Sequence, residues 1–193
     1  QLEAAAVFPE NKRYAMFNLM RTYYESQEFE NAQSEAEAVL ELKNIEVKVK
    51  WDAYEILAQT SIALGDSLKA QSAFEVLEKA PIDQLAAEAY YFRAHQNHKN
   101  KDFEKSNEVI ALLSQKFSSQ PYWAAKSLLL MAKNFYAVKD AFQSTYILES
   151  LLENYKQFPE ILKEGETLLN HIKEKQSEQN ATLSQPNDNN EVQ

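Results

Sequence analysis

Apolar residues along this chain recur at offsets of three, four and seven, the spacing that places side chains on one face of an α-helix. The first set is Met16, Leu19, Met20 and Tyr23. Three sets with the same spacing follow: Tyr54, Leu57, Ala58 and Ser61; Tyr90, Arg93, Ala94 and Asn97; and Leu128, Met131, Ala132 and Phe135. The pattern therefore predicts four helices, each with one face turned toward a core.

A second helical pattern follows each of these helices and begins with a small residue. The four sets are Ala32, Ala36 and Val39; Ala70, Phe74 and Leu77; Ser106, Ile110 and Leu113; and Ser144, Leu148 and Leu151. Because a small side chain lets a neighbouring helix approach closely, the spacing predicts four packed helix pairs.

Short turns separate the two helices of each predicted pair. They read ESQEF (25–29), ALGDS (63–67), KNKDF (99–103) and AVKDA (137–141). Glycine inside a helix costs about 1 kcal/mol relative to alanine, so we expect Gly65 to close one helix in a left-handed conformation. An acidic residue follows at the start of each second helix, where a carboxylate accepts bonds from free N–H groups. These acids are Glu28, Asp66, Asp102 and Asp140.

The pattern resembles the tetratricopeptide repeat over residues 13 to about 155, and this resemblance implies an all-α, right-handed α-solenoid with a C-terminal capping helix. The second repeat matches the family best, through Tyr54, Leu57, Ala58, Gly65, Ala70 and Phe74. The third departs most, since Arg93 and Asn97 stand where the family has Leu and an aromatic residue. Longer repeats with Pro9, Pro81, Pro121 and Pro159 between them are similar to those of bacterial envelope proteins of the BamD and YbgF type.

These signals divide the chain into consecutive segments, and we expect it to be a monomeric piece of a longer protein. The predicted segments are the end of a truncated helix (1–9), four repeats (10–44, 45–80, 81–118 and 119–156), a capping helix (157–176) and a disordered tail (177–193). The capping helix directs Leu162, Leu168, Leu169 and Ile172 inward. The tail is polar and nearly devoid of large apolar side chains, so it has too little surface to bury.

Charge and composition narrow the possible partners. A net charge of -9 disfavours nucleic acid as the main partner, because nucleic acid rewards clustered Lys and Arg. Two glycines cannot supply a phosphate-binding loop, and the absence of cysteine removes thiol chemistry. No apolar run approaches the roughly 20 residues that span a bilayer. We therefore expect no enzyme activity, no cofactor and no membrane insertion by this segment.

One group of residues raises the possibility of a metal site. His95, His98 and Asp102 are spaced so that one helix could present all three to a divalent cation. Asp102 is already explained as a turn acid, and two histidines on a polar helix commonly belong to a surface. We therefore predict that the two histidines belong to the groove or another surface and that they bind no metal.

The predicted binding residues lie on the first helix of each pair, because such helices line the concave surface of repeat solenoids. Aromatic residues and Arg, which dominate binding hot spots, are well represented among them. The alternative for each ring is packing against the neighbouring repeat. The predicted groove residues are Tyr14, Phe17, Arg21, Tyr24, Asp52, Glu55, Gln59, Glu88, Tyr91, His95, His98, Lys126, Leu129, Lys133 and Tyr136.

The sequence thus predicts a non-enzymatic scaffold that binds a peptide or protein segment in this groove. The resemblance places it in the bacterial periplasm or at the outer membrane, with the cytoplasm as the alternative. A second hypothesis is an accessory repeat domain of an enzyme whose catalytic part lies outside this chain.

Overall fold

The computed structural model describes the backbone of residues 9–183 and the side chains of residues 11–180. Within this part of the chain the fold is all-α, with nine helices and no strand. The helices are α1 (Pro9–Glu25), α2 (Phe29–Leu40), α3 (Val47–Ala63), α4 (Ser67–Leu77), α5 (Asp83–Lys99), α6 (Phe103–Lys116), α7 (Pro121–Ala137), α8 (Ala141–Asn154) and α9 (Pro159–Leu183). Consecutive helices pack together from α1 to α4 and from α6 to α9, as in an all-α helical repeat.

The four turns inside the pairs share one backbone geometry. Gly65 has a φ of 76°, which confirms its left-handed conformation. Its N–H donates to Ile62 O at 3.1 Å, and that of Asp66 donates to Ser61 O at 2.8 Å, which is the Schellman pattern of a helix end. The same two bonds occur at the other three turns, where the left-handed residues are Gln27, Lys101 and Lys139.

The turn acids occupy the N-cap positions of α2, α4, α6 and α8. Two of them bond as predicted: Asp66 accepts from the Lys69 N–H and Asp140 from the Gln143 N–H, each at 3.0 Å. The prediction is wrong for Glu28 and Asp102, whose side chains make no capping bond. Glu28 instead accepts from Asn31 Nδ2 at 2.8 Å.

The second helices bury the residues that the pattern selects. All twelve predicted inward positions on α2, α4, α6 and α8 are buried. Two of the small residues also form hydrogen bonds: Ser106 Oγ donates to Ala94 O at 2.8 Å, and Ser144 Oγ donates to Ala132 O at 2.9 Å. A serine at this position therefore allows close approach and satisfies its own hydroxyl.

The contacts divide the chain into two compact units, the first ending at Arg93 and the second beginning at Ala94, within α5. Met20, Phe74 and Leu77 belong to the core of the first unit. Leu148 and Ile172 belong to a core of the second. Each unit therefore presents its own set of first-helix faces.

The last helix packs through Ile161, Leu169 and Ile172, which are buried, while Leu162 and Leu168 are half-buried. Gly165 lies where an added Cβ would stand 3.2 Å from Leu151 Cδ2, so this glycine permits close packing of α9 on α8.

Two predicted boundaries change. The helix α9 continues to Leu183, so the prediction of disorder is wrong for residues 177–183. Strong helix formers and the pair between Lys175 Nζ and Glu178 Oε2, at 2.8 Å, favour this extension. Pro9 is the first residue of α1, a position suited to proline. The rest of the predicted truncated helix and residues 184–193 of the predicted tail lie outside the described residues.

Candidate binding surfaces

In the first unit, side chains on α1, α3 and α5 meet along the faces predicted to bind a partner. Arg21 on α1 forms an ion pair with Asp52 on α3. Gln59 on α3 donates a hydrogen bond to Glu88 on α5. These two contacts tie together first helices that are about 30 residues apart in sequence.

An acidic surface, defined by Tyr24, Asp52, Glu55 and Glu88, lies along these helices. Burial raises the pKa of Tyr24, and the charges of Glu55 and then Glu88 raise it further. Burial likewise raises the pKa of Glu55, with a smaller contribution from Asp52. Asp52 is therefore close enough to Glu55 to disfavour its charge, while Glu55 and Glu88 both lie close to Tyr24. A cationic group bound beside Glu55 would relieve the repulsion from Asp52.

We expect Glu55→Gln to stabilise the protein at pH 7. Because the pKa of Glu55 is raised by folding, the folded state gains from its bound proton and loses that gain as pH rises above about 4.3, the usual value for Glu. The substitution should increase the free energy of unfolding by about 0.5 kcal/mol at pH 7, a size usual for charges near a surface. Urea unfolding at a series of pH values measures this difference.

The difference between this variant and the wild type should disappear below about pH 3, where the Glu55 carboxyl is protonated in both the folded and the unfolded state. Glu75→Gln is the matched control, because it removes an exposed carboxylate on α4 that accepts a hydrogen bond from Gln71 Nε2 in the same helix. A gain in the free energy of unfolding that persists at low pH, or one equal to that of Glu75→Gln, would contradict a raised pKa of Glu55.

In the second unit, a basic surface is formed by His95, Lys99, Lys126 and Lys133. Burial lowers the pKa of His95, and the charges of Lys99, His98, Lys133 and Lys126 lower it further. Lys133 Nζ lies 2.7 Å from Glu164 Oε1 on α9. Lys126 Nζ lies 5.0 Å from the ring centre of Trp123 and 5.4 Å from that of Tyr122. The first-helix face of this unit thus concentrates positive charge within a chain that is acidic as a whole.

The remaining predicted groove residues have different environments. Tyr14 is 70% exposed, and Phe17 and Tyr91 are half-buried. The ring of Tyr136 stands edge-on to His171, with 5.9 Å between centroids. Leu129 is wrong as a groove residue, because its side chain is 5% exposed and packs within a core of the second unit.

His95, His98 and Asp102, whose spacing raised the possibility of a metal site, make other contacts. The rings of His95 and His98 stack with centroids 6.4 Å apart, while His98 Nδ1 lies 2.6 Å from Asn134 Oδ1. Asp102 stands at the N-cap position of α6 without a side-chain capping bond, and its Oδ2 lies 3.5 Å from Lys105 Nζ. Among the described side chains, no group of three His, Asp or Glu residues is arranged to hold a metal ion.

Sequence reasoning missed a buried polar network around Asn134. This side chain is fully buried, and its Nδ2 donates to Ser106 Oγ at 2.8 Å and to Asn107 Oδ1 at 2.7 Å. Its Oδ1 therefore faces His98, whose Nδ1–H donates to it. An asparagine beside an apolar helical stripe carries no sequence signal that distinguishes burial from exposure.

The fold and these surfaces define an all-α helical repeat protein. Neither the protein-family models nor the curated proteins contain a match to this chain. Among the described residues, no helix combines the length and the apolar character needed to cross a bilayer.

Proposed function

We propose that this chain is a protein-binding module and has no catalytic role of its own. Its first-helix faces bind segments of partner proteins through charge and aromatic contacts. The resemblance to tetratricopeptide repeats supports this proposal, because repeat proteins of that kind bind through the same faces.

The observation that carries the proposal is the meeting of Tyr24, Glu55 and Glu88, one from each of three first helices. Two carboxylates, those of Glu55 and Glu88, thus lie close to the aromatic ring of Tyr24. We infer that this surface accepts Lys or Arg side chains of a partner. The basic surface of the second unit accepts Asp or Glu side chains for the corresponding reason, because Lys126 and Lys133 place positive charge there.

Selection of displayed random peptides on the immobilised protein tests the proposal. Each enriched peptide is then titrated against the wild type, against Glu55→Gln/Tyr24→Ala, and against Lys126→Glu/Lys133→Glu. Basic peptides should bind the first double variant at least about tenfold more weakly, and acidic peptides should lose affinity for the second. The charge changes should act mainly on the association rate and its salt dependence, and Tyr24→Ala on the dissociation rate.

Lys139→Glu/Lys163→Glu is the matched control, because it makes the same charge change at two exposed positions outside the basic surface. Circular dichroism and the thermal midpoint establish that every variant is folded. The proposal fails if enriched peptides bind both surface variants with wild-type affinity, or if the control reduces binding as much as Lys126→Glu/Lys133→Glu does.

We further propose that the protein acts in the bacterial envelope, at the periplasm or the outer membrane. The long repeats and the prolines between them support this location, because they are similar to those of envelope proteins. Fractionation of cells that produce the full-length reading frame should recover the protein with periplasmic or outer-membrane markers. Recovery with cytoplasmic markers would contradict the envelope location and leave the binding proposal unaffected.

A further inference from the structure

A cavity of about 560 Å³ lies in the first unit, between α1 and the segment that leads into α3. One wall is a face of α1 that includes Arg13, Phe17 and Arg21. The other is formed by Asn44, Ile45, Glu46, Lys48 and Val49. Its volume falls within the range of about 300–1,000 Å³ that is usual for small-molecule sites.

Positive charge predominates among the side chains that line this cavity. Arg13, Arg21 and Lys48 are cationic, and Glu46 is the one acidic residue among the lining side chains that the structure describes. Arg21 is already paired with Asp52. Within the described side chains, neither Arg13 nor Lys48 has a carboxylate within ion-pair distance. Two cations are therefore available in a molecule whose net charge is -9.

Part of the cavity lining is apolar or aromatic. Val49 is buried and Phe17 is half-buried, while the exposed ring of Tyr14 also contributes to the lining. An apolar wall with a few convergent charged groups is the usual composition of a site that orients a small ligand. A fully hydrated inorganic ion would gain nothing from this wall, and a purely apolar molecule would leave Arg13 and Lys48 without a partner.

The start of α3 adds to the positive potential. Glu46, its N-cap residue, makes no capping bond with its side chain, and the first turn of α3 contains no acidic residue. The carboxylate of Glu46 is thus the one acidic group of the N-cap and first turn that offsets the positive end of the helix dipole. The contribution of this dipole adds to that of the two cations, Arg13 and Lys48.

We propose that this cavity binds a small organic anion, a carboxylate or a phosphate carried on an apolar or aromatic body. Arg13 and Lys48 hold the anionic group, and Phe17 and Val49 contact the body. Arginine offers a planar pair of N–H donors to such oxyanions, and lysine offers a point charge. The cavity shares no lining residue with the acidic surface, which adjoins it through the Arg21–Asp52 ion pair and whose charge selects ligands of the opposite sign.

Titration of ¹⁵N-labelled protein with four matched probes tests this proposal. The probes are 4-phenylbutyrate, phenyl phosphate, neutral 4-phenylbutanol and cationic 4-phenylbutylamine. At least one anion should shift the amide signals of residues 44–49 and of the α1 face saturably, with a Kd at least about tenfold below those of the alcohol and the amine. Binding by only one of the two anions also supports the proposal and identifies the charged group that the site prefers.

Arg13→Gln/Lys48→Gln should raise the Kd of the anion about tenfold and leave that of the alcohol unchanged. Lys43→Gln/Lys79→Gln is the control, since it removes the same charge from two exposed positions outside the cavity lining. Circular dichroism verifies the fold of both variants. The proposal is overturned if neither anion binds saturably, if the alcohol binds as tightly as the anions, if the shifted amides lie elsewhere, or if both double variants weaken binding equally.

Discussion

Phe74→Ala should lower the free energy of unfolding of the first unit by about 3 to 5 kcal/mol, the usual cost of truncating a buried Phe. Phe74 is 3% exposed, and its ring stacks on that of Phe92 with 4.1 Å between centroids. The substitution removes this contact and leaves a cavity between α4 and α5, which the surrounding helices can fill only in part. Urea unfolding gives the total change.

Hydrogen exchange locates the effect, because units of a repeat protein can unfold separately and a single global transition cannot be assumed. Amides of α3, α4 and the first part of α5 should lose protection. Phe142→Ala is the matched control, since the same truncation on α8 removes a side chain that is 77% exposed, and we expect a change within about 0.5 kcal/mol. Tyr91→Ala, at a half-buried first-helix position, should cost much less than Phe74→Ala. Equal losses for Phe74→Ala and either comparison would show that the facing of these helices is wrong.

Asn134→Ala should destabilise the second unit by about 2 to 4 kcal/mol. Its amide uses both donor hydrogens and its acceptor inside the protein, so the substitution leaves His98 Nδ1 and Asn107 Oδ1 without this partner. Each polar group left unsatisfied in a buried site costs about 1 to 3 kcal/mol. Loss of this network should be visible both in urea unfolding and in the ¹⁵N signals of the His98 ring.

The ¹⁵N signals of the His98 ring report on the network more directly than the free energy of unfolding does. In the wild type, neutral His98 should carry its proton on Nδ1, because Asn134 Oδ1 can only accept. In Asn134→Ala that preference should be lost. Asn154→Ala is the control, because this exposed asparagine on α8 donates to Ser150 in the same helix, and its loss should change stability by about 0.5 kcal/mol or less. An unchanged His98 tautomer in Asn134→Ala would contradict the network.

Local features of the sequence predicted most of the helical architecture. The period of apolar residues located the helix pairs, because it depends only on side chains within one or two turns of each other. Gly65 and the turn acids located the breaks for a similar reason, since a left-handed residue and an N-cap act within about four residues. The end of α9 was missed because helix propensity extends it past the point where its apolar residues stop.

The candidate surfaces could be predicted only in part. The sequence placed Tyr24, Glu55 and Glu88 on first helices, and the structure brings these three close enough for their charges to interact. The sequence also placed Lys126 and Leu129 together in the groove, although they are only three residues apart on α7 and differ in environment. Leu129 is buried in a core, whereas Lys126 is half-buried beside Tyr122 and Trp123.

The sequence by itself determined which segments become helices, where they turn and which second-helix positions are buried, because these properties arise from interactions between near neighbours. Only the tertiary structure decided that Asn134 lies inside a polar network, that Leu129 is covered and that Arg13 and Lys48 line one cavity. These properties depend on side chains from other helices, such as Ser106 and Asn107, which are 28 and 27 positions from Asn134 in sequence. The packing of whole helices brings such side chains together, and local periodicity does not report it.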